Sequence, residues 1–144
     1  MGVSVRTAVA IKQETAARSE DPPASPVPAI GNDAQRMERA IRACDSTIDL
    51  MSALFGIDSR ELRRGGRTSR DATRVRQLAM YVAHVILKFS MKEVGVGFQR
   101  DRTTVLHACH LVEDLRDDPD FDQMAGLAER VVAAAFKNSL ETAR

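Results

Sequence analysis

At 144 residues the chain is one domain with appendages, and its 44% of hydrophobic residues suffices for a modest core. No apolar run approaches the roughly eighteen residues needed to span a bilayer; residues 1–12 lack a signal-peptide h-region, and Arg6 stands where N-myristoylation requires Ser or Thr. The net charge of +1 hides an asymmetry: residues 60–110 carry eleven Lys/Arg against four Asp/Glu, a balance of +7, while residues 111–130 carry two against seven, a balance of −5. Such blocks point to one face meant for an anionic partner. The two cysteines, Cys44 and Cys109, make no disulfide framework, and the expected compartment is the cytoplasm.

Residues 1–31 read as a disordered tail, since four of the five prolines lie within 22–28 and little else there can be buried. Residues 32–144 read as a helical domain. Asn32 or Asp33 is expected to cap a leading helix over 33–55, with Met37, Ile41, Cys44, Ile48, Met51 and Phe55 on its apolar face and Gly56 ending it. Ile57, Asp58 and Ser59 open a short turn of helix holding Leu62. A basic loop over 60–70 follows, where Gly65 and Gly66 free the arginines to reach outward. The next helix is predicted over 71–88, burying Val75, Leu78, Ala79, Val82 and Ile86. Ser90 and Glu93 form a capping box before a short helix ending near Phe98. Gly95 inside it costs about 1 kcal/mol relative to Ala, which implies close packing at that point. After a Gln99–Arg100 connection, a helix over 102–117 buries Val105, Ala108, Cys109, Val112 and Leu115. Pro119 stands near the first position of a last helix, 119–138 in outline with its regular part from 120. No segment alternates with the period of a strand, so the chain is expected to be all-α.

The most informative stretch is Arg100-Asp101-Arg102-Thr103-Thr104-Val105-Leu106-His107-Ala108. It places an acceptor, basic side chains and two hydroxyls at the mouth of a helix, where free N–H groups already attract anions. Two short helices, the second opening on polar groups, describe a helix-turn-helix spanning 90–117, whose second helix enters the major groove. There Asp can accept from the cytosine amino group, Arg can fork onto guanine, and a Thr methyl can touch the thymine methyl. Asp101 is also expected to cap the helix, with Thr103 and Thr104 filling its first turn.

Residues 44–117 resemble the C-terminal DNA-binding domain of the bacterial chromosomal replication initiator, DnaA. Three motifs carry the resemblance: Arg76-Gln77-Leu78-Ala79-Met80-Tyr81, then Ser90 through Gly95, then Phe98 with Arg100 through Ala108. The resemblance implies a small all-α bundle containing a helix-turn-helix, of the Trp-repressor-like kind, that recognises short duplex boxes. It implies that Asp101, Arg102 and Thr103 contact bases, that Thr104 and His107 contact the backbone, and that Met91 and Lys92 lie against the same strand with Gln77 near a phosphate. Arg100 belongs to the same signature, and Arg67, Arg70 and Arg76 are expected to hold phosphates or line the minor groove.

The chain departs from the family pattern. Arg102 replaces the signature histidine, the single residue Gln99 replaces a Gly-Gly pair, and Thr68 stands where the family places its minor-groove arginine, so that either Arg67 or Arg70 substitutes for it or the contact is lost. It also carries no Gly-x-x-x-x-Gly-Lys-Ser/Thr loop, so it is expected to act as a stand-alone binder that cannot assemble an ATP-driven filament alone. The expected function is sequence-specific double-stranded DNA binding in regulation of transcription or of replication initiation, at the bacterial nucleoid. Neither an enzyme activity, a cofactor nor a metal is expected, and the sequence leaves dimerisation open. Two readings compete: a metal-binding helical protein built on His84, His107, Cys109 and His110, and an adaptor docking a basic partner through the acidic stretch at 113–122. Against the first, Cys109 falls on the apolar face and no acid partner is near; against the second, Asp at a helix N-terminus is favourable in its own right.

Overall fold

The computed structural model describes residues 30–137, with side chains from residue 32. Residues 1–29 of the expected tail and the end of the last helix at 138 lie outside the described residues. Within them there are six helices and no strand: α1 (Ile30–Phe55), α2 (Ser59–Arg63), α3 (Arg70–Val85), α4 (Met91–Phe98), α5 (Arg102–Leu115) and α6 (Pro119–Ala135). None is long and apolar enough to cross a membrane.

The bundle is organised by α1 and α3, against which the other helices pack. Ala40, Cys44, Ile48 and Met51 of α1 share one core with Val75, Leu78, Ala79 and Val82 of α3, and Val94, Phe98, Val105, Ala108 and Val112 complete it from α4 and α5. Ala125, Ala128 and Val132 lay α6 over it.

α1 is already helical at Ile30, so Asn32 and Asp33 lie inside the helix rather than at its N-cap. Its buried face is also rotated from the expected one: Ala40, Ala43 and Thr47 are buried, while Ile41 is 42% exposed. The reason is a close approach to α4. A Cβ on Gly97 would stand 2.6 Å from Cys44 Sγ, so the two helices meet through small residues rather than through the bulky ones that dominate the sequence pattern.

Gly56, at φ 69°, ends α1 as expected, with its N–H donating to Ser52 O. Asp58 caps α2 by accepting from Arg60 N, which holds its carboxyl below the usual range, and Leu62 is buried. α3 stops at Val85 rather than 88, leaving Ile86 only partly buried. Lys88 takes a positive φ of 67°, which turns Leu87 and Phe89 inward, and Phe89 O lies 2.8 Å from His84 Nδ1. α5 stops at Leu115, which is half-buried, and Pro119 takes the first position of α6.

The acidic block is partly spent on holding α6. Arg116 pairs with Asp122 (2.6 Å) and Glu129 (2.7 Å) and donates to Tyr81 Oη, which itself donates to Glu113 Oε2. Burial and the Glu113 charge push the Tyr81 hydroxyl above its ordinary range, so it stays a donor.

Candidate nucleic-acid interface

The helix-turn-helix is built from α4, a three-residue turn and α5. Ser90 Oγ accepts from Glu93 N (3.1 Å) while Glu93 Oε1 accepts from Ser90 N (2.8 Å), the capping box expected from the sequence. Glu93 Oε2 also accepts from Arg36 Nε at 2.6 Å, and Arg36 Nη2 reaches Lys88 O, so α1 fixes the start of α4. At the far end Gln99 is left-handed (φ 58°, ψ 46°), with Gln99 N donating to Val96 O and Arg100 N to Gly95 O. This is a Schellman termination with glutamine in the place a glycine usually fills. Gly95 is there because Arg100 O passes 2.7 Å from where its Cβ would be.

Asp101 occupies the N-cap position of α5 but its side chain makes no capping hydrogen bond, contrary to expectation. With ψ at 153° the backbone enters the helix extended, and the carboxylate stays in solvent. Arg102, Thr103, Thr104 and His107 are exposed as well, while Val105, Ala108, Cys109 and Val112 seat the opposite face on the core. The mouth of α5 therefore presents an acceptor, a guanidinium and two hydroxyls to solvent above four N–H groups that the helix cannot satisfy.

The structure divides the basic cluster, which the charge count alone could not do. Arg63 turns inward to Asp45 and Asp49, which raise its proton affinity, and Arg74 donates to Gln77 Oε1. Arg76 departs from the expected phosphate contact. It is 8% exposed, and it donates through Nε to Leu62 O (2.9 Å) and through Nη2 to Glu61 O (3.2 Å) and Thr68 Oγ1 (3.1 Å). Burial, then the nearby Arg100 charge, lowers its proton affinity. Thr68, where a minor-groove arginine was in question, is half-buried and bonds Thr73 Oγ1 at 2.9 Å. Arg100 is likewise engaged, donating through Nη2 to Arg64 O at 2.7 Å.

Exposed are Arg60 on α2, Arg64 and Arg67 on the loop, Arg70 at the start of α3, Lys88 ahead of α4, Lys92 on the first turn of α4, and Arg102 on α5. Met91 and Gln77 are half-buried. Arg64 was not singled out from the sequence; adjacent to Arg63, it carries no local sign of which of the two turns outward. The Arg100–Arg64 bond joins this loop to the turn ahead of α5. Of the residues a metal site would need, His84 is engaged at Phe89 O and Cys109 is in the core.

This arrangement, polar α5 mouth, capped α4 and adjoining arginine loop, coincides with a family match over residues 44–112, described as the bacterial dnaA protein helix-turn-helix. Residues 44–112, a little under half of the chain, are thus a helix-turn-helix domain of the bacterial dnaA protein type.

Proposed function

We propose that the protein binds double-stranded DNA sequence-specifically, with the N-terminal turn of α5 in the major groove. Asp101, Arg102 and Thr103 read base edges there, and Thr104 and His107 hold the sugar–phosphate backbone. Lys92 with Met91 and Gln77 lies along the same strand, and Arg67 or Arg70 reaches the adjacent minor groove. Arg76 is reassigned from phosphate contact to support of the loop, on the strength of its burial. The observation that carries the reading is the exposure of Asp101, Arg102, Thr103 and Thr104 at one helix mouth, tied by one hydrogen bond to a loop of outward arginines. By occupying short duplex boxes at the bacterial nucleoid the protein regulates transcription or modulates the initiation of chromosome replication.

A fluorescence-anisotropy titration across a salt series tests this. If about four to six phosphates are neutralised, log K falls against log salt with a slope of roughly −4 to −5. A slope indistinguishable from zero refutes DNA binding. Arg70→Ala is expected to weaken all duplexes alike and to reduce the slope by about 1.

A further inference from the structure

From the placement of Arg100 we infer that it is a positioning residue, which locks the arginine loop to the recognition helix so that major-groove and loop contacts are delivered as one rigid unit. The inference rests on the DNA-binding reading for its consequence, and on the DNA-free geometry for its substance.

α2 is only five residues long, so it ends in carbonyls that its own backbone cannot satisfy. Two arginines from elsewhere supply the donors. Arg76, from α3, takes Leu62 O and Glu61 O. Arg100, from the turn between α4 and α5, takes Arg64 O. Cations at a helix C-terminus are favourable on charge grounds as well.

Arg100 is held at both ends. Its N–H is bonded to Gly95 O at 2.8 Å, which anchors it to α4, and its carbonyl is wedged against Gly95. It is followed at once by Asp101 and Arg102, the first two residues of the proposed reading surface. Its guanidinium meanwhile grips the first residue of the loop, thirty-six positions away in sequence. Arg64, whose carbonyl is gripped, has its own side chain exposed, and Arg67 follows three residues on. The other hydrogen bonds of this guanidinium stay within the turn, to Phe98 O and Gln99 O, so its reach to the loop rests on Arg64 O. The Nη2 N–H that meets Arg64 O is thereby taken up within the protein.

Two measurements test it. In the DNA-free protein, amide hydrogen exchange and backbone order parameters at Arg64–Thr68 are compared for wild type, Arg100→Ala and Arg100→Lys. Expected is about tenfold faster exchange in the loop of Arg100→Ala, with α3 and α5 unchanged, and substantial recovery in Arg100→Lys, whose ammonium has nearly the same reach. A loop equally ordered in all three overturns the inference. Should Arg100→Ala melt too low to study, Arg100→Lys against Arg100→Met, which keeps the aliphatic stem, makes the same comparison.

On DNA, selection from a random duplex library is run with wild type and Arg100→Ala. Positions read by α5 are expected to stay enriched, while enrichment in the flank touched by the loop falls by about tenfold, and Arg67→Ala no longer shows coupling to Arg102→Ala. Uniform weakening with the salt slope reduced by about 1 and all motif positions kept makes Arg100 a plain phosphate contact and overturns the inference. Absence of any DNA affinity in the wild type refutes the proposed function, whereas the order of the loop in the DNA-free variants still decides whether Arg100 locks it.

Discussion

The tightest constraint in the helix-turn-helix is at Gly95, where Gly95→Ala puts a Cβ 2.7 Å from Arg100 O, with Arg102 N at 3.5 Å and Asp101 C at 3.6 Å. The neighbour is backbone, so it cannot swing aside as a side-chain end would. It is held besides by the Arg100 N–H···O Gly95 bond at 2.8 Å and the Arg100 grip on Arg64 O at 2.7 Å. Three effects decide the outcome. Ala gains about 1 kcal/mol over Gly in a helix interior; overpacking costs about 1–3 kcal/mol; and a broken turn hydrogen bond costs about 1 kcal/mol more. The net expectation is a loss of about 1–3 kcal/mol, and each kcal/mol lowers Tm by about 4–8 °C in a domain of this size. The shifted turn also displaces Asp101 and Arg102, so DNA affinity is expected to fall by about tenfold, more than the stability loss alone produces. Thermal melting by circular dichroism and anisotropy titration read the two effects. Gly126→Ala is the control: its nearest neighbour is Arg130 Nη1 at 3.5 Å, an ordinary contact, so the helix-propensity gain of about 1 kcal/mol stands unopposed. A Gly95→Ala protein that melts at or above wild type and binds DNA equally well refutes the reasoning.

Gln99→Gly relieves a left-handed residue at φ 58° and is expected to raise stability by about 1 kcal/mol; a lower Tm means the glutamine side chain contributes more than its strain. Cys44 is fully buried, and burial together with the charges of Glu93 and Asp45 pushes its thiol up to about 12, from an ordinary value of 9.0. It should resist a thiol-specific reagent until the protein unfolds. Because the unfolded chain sheds that proton first, the same group lowers stability as pH rises above about 9, by up to about 1.4 kcal/mol per unit, in chemical-denaturation curves that Cys44→Ala should flatten. Arg76→Met strands Leu62 O and Glu61 O, with an expected loss of about 2–3 kcal/mol and an unchanged salt slope; a slope reduced by about 1 returns Arg76 to the phosphate backbone. Arg102→His should move the selected box at a single position, away from guanine, since a rigid fork discriminates by about 1–3 kcal/mol. Identical motifs from both proteins mean that Arg102 reads no base.

The helix-turn-helix itself was readable in the residues, because its signals act within a few positions. Ser90 and Glu93 three apart, Gly56 and Pro119 at helix ends, and the apolar spacing of Val105, Ala108 and Val112 each specify hydrogen bonds or faces within one or two turns of chain. Four features were decided only when the helices came together. Ile41 faces outward because Cys44 and Gly97 let α1 and α4 meet closely. α3 ends early because Leu87 and Phe89 are drawn into the core while Arg36, on another helix, takes Lys88 O. Asp101 leaves its capping bond unmade. The basic stretch separates into arginines that brace the fold and arginines that face solvent. The physical reason is reach. Backbone ladders and caps join residues within about four positions, so contiguous sequence encodes them. A long cationic side chain instead takes whichever oxygen lies nearest in space, and for Arg63, Arg76 and Arg100 those oxygens come from residues 18, 14 and 36 positions away.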